Sequence, residues 1–400
     1  GDIWQDLTLL IPGKADKKFL QPMYQNLNKV IRKIDDKKIL FFEPVQDDKV
    51  GILGGFVGPT GFTETPGLTE YNDRQMLNFH SYCCQKGAKV CAGGEPSLKE
   101  APSCAKWNHE VVEKRNNDAI GLGVGSILTE FGNCLNNDSC YQEIKSVTEA
   151  TDSNFVSWAY WPYKPLSPIS YKGDNAGLFN GDGTPQDTKV LSLARSYAPA
   201  IAGVPTLMRY DIDTNAFGFE FRCDSSIKEP TSIYLNQEYK SSADVEISIL
   251  LDDGTPASHS KTQDGSLLNI AYTGTERNPL LSLTATPKFQ PGSVTLGKKY
   301  LISYKQVASA SGMTRFTILP GNTFKDDLQL RLKDMKQVQL CVLELKGATP
   351  SQECQVPAVR LPGYTFEVYK KEFLFWIKQG EFTMGALNEN QYLININDAQ

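Results

Sequence analysis

The stretch Val124-Gly125-Ser126-Ile127-Leu128-Thr129-Glu130-Phe131-Gly132 decides how this chain is read. Val124, Ile127 and Leu128 suit a short strand buried on both faces. Glu130 comes at its end, and Gly132 lets the chain turn away. In parallel α/β architectures the side chains at the C-terminal ends of strands reach the active site, while those lower down fill the core. Glu130 is therefore either a candidate nucleophile or a strand-end carboxylate paired with a surface lysine. The neighbouring segments bear on that choice.

Working outward, three more segments have the same form. Ile39 to Glu43 and Met76 to Tyr82 precede the central stretch, and Phe155 to Trp161 follows it. Helical spacing separates them. Phe19, Leu20, Met23, Leu27, Val30, Ile31 and Ile34 make one apolar stripe in a helix from Lys17 to Asp35. Further helices are expected over Cys104 to Ile120, residues 138–150 and Gln186 to Ala198. Strand and helix alternate, which predicts an α/β domain with a parallel sheet over residues 1–205. Each strand ends in a residue able to bind or react: Glu43, His80 with Tyr82, Glu130, and Trp161. That is the pattern of a (β/α)8 barrel, of which four strands make only half. A Gly- and Pro-rich loop from Gly51 to Gly67 is too long for a plain connector, so it is expected beside the site.

After Pro205 helical periodicity fades. Phe217 to Phe221, Val245 to Ile249 and Leu340 to Leu345 have strand length, and Asp253-Gly254 and Pro291-Gly292 give turn signals. Residues 206–400 read as an all-β sandwich domain.

Composition narrows the function. The 400 residues carry a net charge of −5, which argues against nucleic acid as a partner. No apolar run is long enough for a membrane-spanning helix. The chain starts at Gly1 rather than Met, so it is expected to be a processed product or part of a longer chain. Nine cysteines without a CxxC pair favour disulfides in an oxidising compartment over zinc. The short loops Cys134–Cys140 and Cys341–Cys354 are plausible bridges, as is some pairing among Cys83, Cys84, Cys91 and Cys104. The sequon Asn137-Asp138-Ser139 adds weak support for secretion.

Glycoside hydrolysis uses two carboxyl groups across the scissile bond, and Glu130 fits the nucleophile. Glu43 also ends a strand, but it follows Phe42. A preceding Asn would instead offer an amide to the sugar 2-hydroxyl. His80 and Tyr82, two apart, point to one face, where Tyr82 could hold Glu130 in its ionised form. Trp161 and Trp158 suit stacking on a sugar ring, with core packing the alternative, more so for the deeper Trp158. Lys164 is expected to be solvated. Gly51 to Gly61 has neither a P-loop Lys nor a GxGxxG pattern. With three histidines in all, a metal site or serine triad is poorly supported. No cofactor and no metal are expected.

The chain resembles glycoside hydrolase family 5, and within it the endoglycoceramidases. The resemblance rests on Gly1-Asp2-Ile3-Trp4, Leu7-Thr8-Leu9-Leu10-Ile11-Pro12-Gly13, Ile39-Leu40-Phe41-Phe42-Glu43-Pro44, Phe79-His80-Ser81-Tyr82, Ile127-Leu128-Thr129-Glu130-Phe131-Gly132 and Ser157-Trp158-Ala159-Tyr160-Trp161, in this order and spacing. It implies strands five to eight of a TIM-type barrel followed by a β-sandwich. It implies Glu130 as nucleophile, His80 and Tyr82 at the sixth strand, and Trp161 or Trp158 at the eighth. It implies retaining cleavage of the glycan–ceramide bond of glycosphingolipids, without a cofactor. The family's acid/base lies in an Asn-Glu-Pro, which this sequence lacks, so Glu43 becomes a fifth-strand residue and the acid/base is expected upstream of Gly1. On that basis these 400 residues alone are expected to fold poorly and to lack activity. The alternatives are a β-glucosidase acting on steryl or simple glucosides, and a non-catalytic carbohydrate- or lipid-binding relative. A loop from Gly54 to Gly67 facing the lipid part of the substrate, peripheral contact with a membrane surface, and a secreted or lysosomal or endomembrane-lumenal location complete the expectations.

Overall fold

The computed structural model describes residues 6–45, 57–87, 89–91, 95–164, 176–236, 245–287, 292–296, 300–309, 313–321, 325–334, 337–347, 351–357, 364–372, 375–384 and 390–398. Gly1 to Trp4 of the resemblance, and residues 51–56 of the Gly-rich loop, lie outside them. The chain divides into two compact units, Gly1–Leu193 and Ala194–Gln400.

In the first unit, helix α1 (Gln21–Ile31) precedes strand β1 (Leu40–Phe42). Strand β2 (Gln75–His80), helix α2 (Ala101–Leu122), strand β3 (Gly125–Gly132), helix α3 (Asp138–Asn154), strand β4 (Ser157–Trp161) and helix α4 (Asp187–Leu193) follow. The strands form one sheet in the order β1-β2-β3-β4, parallel throughout, as successive barrel strands would. Local sequence explains the helix ends. Helix α2 has Pro102 in its first turn, where a missing N–H costs nothing, and stops at Gly123 with φ +74°. Helix α3 is capped by Asn137, whose side chain accepts from the Cys140 N–H at 3.1 Å.

Trp107, Val111 and Val112 of α2 and Ile144, Val147 and Ala150 of α3 recur at helical spacing and bury against Phe79, Leu128 and Phe131 of the sheet. Leu20, just before α1, and Tyr24 within it pack on Phe42 and Phe62. The rest of the apolar stripe does not face that contact: Met23, Leu27, Val30 and Ile34 are exposed. Around it the Gly-rich loop is tied down by two carboxylates, the buried Asp16 and the partly buried Asp118. Asp16 accepts from the Val45 and Gly61 N–H groups, and Asp118, paired to the buried Arg115, accepts from Thr60 N–H.

The expected helix through Ala198 ends at Leu193. Tyr197–Ala200 is instead strand β5, because Pro199 has no N–H for a helix and Tyr197 pairs with Tyr234. The β-rich unit therefore starts about a dozen residues before position 206. It continues with β6 (Gly203–Tyr210), β7 (Phe217–Cys223), β8 (Thr231–Tyr234), β9 (Val245–Leu250), β10 (His259–Asp264), β11 (Leu267–Tyr272) and β12 (Leu280–Pro287). Then come β13 (Gly292–Leu296), β14 (Tyr300–Ser309), β15 (Met313–Pro320), β16 (Asp327–Lys333), β17 (Gln339–Lys346), β18 (Gln352–Pro357), β19 (Tyr364–Glu372), β20 (Phe375–Met384) and β21 (Asn390–Asp398). It is all-β, as expected, but it has two cores rather than one. Sheets β10-β11-β8-β5 and β6-β7-β12-β9 enclose Phe217, Phe219, Ile233, Leu268 and Leu283. Sheets β13-β14-β21-β15-β18 and β17-β16-β19-β20 enclose Ile302, Phe316, Leu330, Phe366 and Ile394.

Disulfides join Cys83–Cys104, Cys84–Cys91, Cys134–Cys140 and Cys341–Cys354, and Cys223 is a buried free thiol. Within the cluster left open by the sequence, the bridge Cys83–Cys104 fastens the turn after β2 to the first turn of α2. The Asn137 amide donates to Glu95 at 2.6 Å, so the sequon side chain is already engaged by the fold. Replacing Cys83 and Cys104 together by Ser is expected to lower stability by about 3 kcal/mol, the loop-closure entropy of a bridge spanning 21 residues. Thermal denaturation with and without reductant checks this. Equal melting of the variant and the oxidised protein would show that the bridge adds nothing.

Candidate active site

The C-terminal ends of β1, β2 and β3 bring four ionisable or polar side chains together. Glu43 follows β1 directly, and its N–H donates to the Tyr24 hydroxyl at 3.2 Å. His80 ends β2, with Nε2 3.5 Å from Glu43 Oε1 and Nδ1 3.7 Å from Glu130 Oε2. Both distances exceed hydrogen-bond reach, so the imidazole separates the two carboxylates. Tyr82 lies past the strand end and donates its hydroxyl to Glu130 Oε1 at 2.7 Å. Glu43, His80 and Glu130 have side chains 27%, 23% and 30% exposed, open to solvent on one side.

Strict alternation along β3 would send Glu130 to the wrong face. Ser126 and Leu128 are buried, and Glu130 would follow Leu128 toward the helices. The structure prevents this with an extra residue. Phe79 pairs with Leu128 but His80 pairs with Glu130, and on the other side Leu128 pairs with Trp158 while Phe131 pairs with Tyr160. The bulge lets Phe131 take the helix-side core position and turns Glu130 out to meet Tyr82. Gly132 closes it at φ +109°, with Asn133 N–H donating to Trp161 O at 2.7 Å.

Tyr82 is held from behind. Trp107 Nε1 donates to its carbonyl at 3.1 Å, and Cys83 beside it is bridged to α2. Burial, and then its hydrogen bond to the Glu130 carboxylate, raise the phenol's pKa well above the ordinary tyrosine value. It therefore stays a donor. Burial likewise raises Tyr160.

Asn78 was missed in the sequence. It is buried, two residues before His80 on β2, and its amide donates to Glu43 Oε2 at 2.8 Å and to Thr129 Oγ1 at 3.2 Å. The signal was present: a lone Asn between Leu77 and Phe79 shares the face of His80. The tryptophans divide. Trp158 packs edge-on against Phe131 in the helix-side core, with ring centroids 5.5 Å apart. Trp161 stays exposed at the end of β4, before a cis peptide bond to Pro162.

Residues 4–167 match the cellulase (glycosyl hydrolase family 5) model, and residues 195–278 match the glycoside hydrolase family 5 C-terminal domain. Both matched models are of glycoside hydrolase family 5. The chain is endoglycoceramidase-like. It is 29% identical over 239 residues to an endoglycoceramidase of Hydra vulgaris, covering 59% of this chain and 40% of that one. It is 26% identical over 258 residues to an endoglycoceramidase of Cyanea nozakii, covering 63% of this chain and 46% of that one. The matched stretch thus spans less than half the length of these relatives. Its fold is similar to that of endo-glycoceramidase II from Rhodococcus sp., solved as a ganglioside GM3 complex, with a TM-score of 0.53 and 20% identity over 70% of this chain and 56% of that chain. The family-5 fold is a TIM-type barrel followed by an all-β domain, and the parallel sheet and the β-rich unit of this chain correspond to its parts.

Tyr82→Phe removes the hydroxyl that donates to Glu130. If Glu130 reacts as an anion, losing one charge-assisted bond is expected to lower kcat about 10- to 100-fold while the melting temperature moves little. An unchanged kcat would show that the phenol does not support Glu130.

Proposed function

We propose that this chain is part of a retaining glycoside hydrolase that cleaves the β-glycosidic bond between glycan and ceramide in glycosphingolipids. The observation that carries the reading is the Glu130 carboxylate at a parallel strand's C-terminal end, bonded to a partly buried phenol at 2.7 Å. A hydrogen-bonded, partly exposed carboxylate is suited to attack an anomeric carbon. Tyr82 fixes its orientation, and His80 lies beside it, with Nδ1 3.7 Å from Oε2. Trp161 is the exposed aromatic ring for a sugar face, and Trp158, packed on Phe131, supports β4.

A retaining reaction also needs a general acid. No Asn-Glu-Pro occurs in the 400 residues, and Glu43 is hydrogen-bonded by Asn78 beside His80. In this reading the acid is not among these residues, and the 400 residues alone are inactive. The two endoglycoceramidase relatives support the glycan–ceramide bond as the target. Disulfides in both units favour an oxidising setting, consistent with secretion or a lysosomal or endomembrane lumen.

The test is product analysis with the full-length protein. A glycosphingolipid should yield intact oligosaccharide and ceramide, with the β-anomer of the sugar formed first by NMR. Release of the α-anomer first would refute retention. Activity on simple or steryl glucosides with none on glycosphingolipids would refute the substrate assignment.

A further inference from the structure

The β19–β20 ribbon of the second core projects past its sheet. On one side β19 pairs with β16, and the last partners at this end are Leu328 and Lys370. On the other it pairs with β20 through two further couples, Lys371↔Trp376 and Glu372↔Phe375. Inward-facing positions are buried as far as Val368 on β19 and Phe382 on β20, and beyond them the core gives out. At the projecting end Phe375 is 72% exposed and Ile377 45% exposed, on one face. Trp376 is on the other face, with the Lys371 ammonium 6.0 Å from its ring.

A two-stranded ribbon is marginal by itself, and one that exposes Phe and Ile gains nothing from water. We propose that this end of the ribbon is a membrane anchor, which inserts Phe375, Ile377 and Trp376 into the interfacial region of a lipid bilayer. Three features favour a bilayer over a protein. The apolar residues sit on a narrow projection and not on a flat patch. Among the described residues, the three apolar side chains fall short of the roughly 800 Å² per partner that a stable protein interface buries. The apolar group is flanked by Lys370, Lys371 and Lys378, whose stems can lie along lipid while their ammonium groups stay in water.

Charge plays the smaller part. Lys370 pairs with Asp326 at 3.1 Å, Lys378 pairs with Glu367 and Glu381, and Glu372 lies at the same end. The anchor is therefore nearly neutral, and apolar insertion with an aromatic ring at headgroup depth supplies the binding. Anionic lipid adds a modest increment through Lys371.

The test is flotation of the full-length protein with phosphatidylcholine vesicles, with and without phosphatidylserine. These vesicles hold no glycolipid, so the outcome is independent of the proposed hydrolase activity. Phe375→Ser with Ile377→Ser is expected to lower partitioning at least about tenfold on both vesicles, without changing the melting temperature. A second readout is local: brominated phosphatidylcholine should quench fluorescence in the wild type, and that component should vanish in Trp376→Phe. No binding to either vesicle, or binding that survives Phe375→Ser with Ile377→Ser, overturns the proposal. So does a lipid-free dimer abolished by the same pair of changes, which would make this end an interface between copies.

Discussion

Glu130→Gln in the full-length protein is expected to lower kcat on a glycosphingolipid by about four orders of magnitude or more, with folding unchanged. The change is nearly isosteric, and the amide oxygen can still accept from Tyr82, now 2.7 Å from Oε1. What it loses is the negative charge that would form the glycosyl–enzyme bond. Among the described residues no second carboxylate stands ready to replace it: Glu43 is on the far side of His80 and is hydrogen-bonded by Asn78. Removing a nucleophile that acts as one member of a set costs on this scale in other hydrolases. The side chain is 30% exposed, so its neutralisation should leave the melting temperature within a few degrees of the wild type. Steady-state kinetics and a thermal melt of the same sample check both halves. Retained turnover would place the nucleophile elsewhere. Unchanged sugar affinity in a wild type without turnover would make the chain a binding relative.

Gly132→Ala is expected to lower the melting temperature by about 5–15 °C and to reduce kcat as well. Gly132 has φ +109°, which a residue with a Cβ rarely adopts. A methyl there would overlap the Tyr160 ring and meet the Trp161 carbonyl oxygen at 2.8 Å. Neither neighbour gives way easily. Tyr160 packs edge-on against Phe131 at 5.5 Å, and the Trp161 carbonyl accepts from Asn133 N–H at 2.7 Å. Backbone strain and overpacking each cost about 1–3 kcal/mol, and each kcal/mol is worth about 2–4 °C in a unit of this size. The effect on rate follows from position. Gly132 closes the bulge that turns Glu130 outward, so relief of the clash has to pass through the proposed nucleophile. A variant that melts with the wild type would show that β3 and β4 separate freely there.

Much of this molecule was legible in the sequence because its signals are local. Alternating apolar runs and helical stripes located the four parallel strands and α2 and α3, since burial on one or both faces imposes those periods wherever the chain folds. Glu130, His80 and Tyr82 could be placed near one another because parallel strands align their C-terminal ends. Cys134–Cys140 and Cys341–Cys354 could be proposed because short loops leave few alternatives.

Tertiary structure alone decided the rest, because it depends on partners far away in the chain. Period-two reading puts Glu130 on the helix side of β3, and only pairing with β2 and β4 shows the extra residue that reverses it. Asn78 gains its meaning from Glu43, thirty-five positions earlier, which no local pattern connects to it. Trp158 and Trp161 look alike in sequence, yet contact with Phe131 claims the first for the core. The stripe on α1 repeats as a buried helix should, but its burial depends on what packs against it, and in this structure Met23, Leu27 and Val30 are exposed. In the β-rich unit the alternation of each strand fixes which residues turn inward. It cannot tell which sheet they turn toward, and so the division into two cores emerges only when the strands are paired.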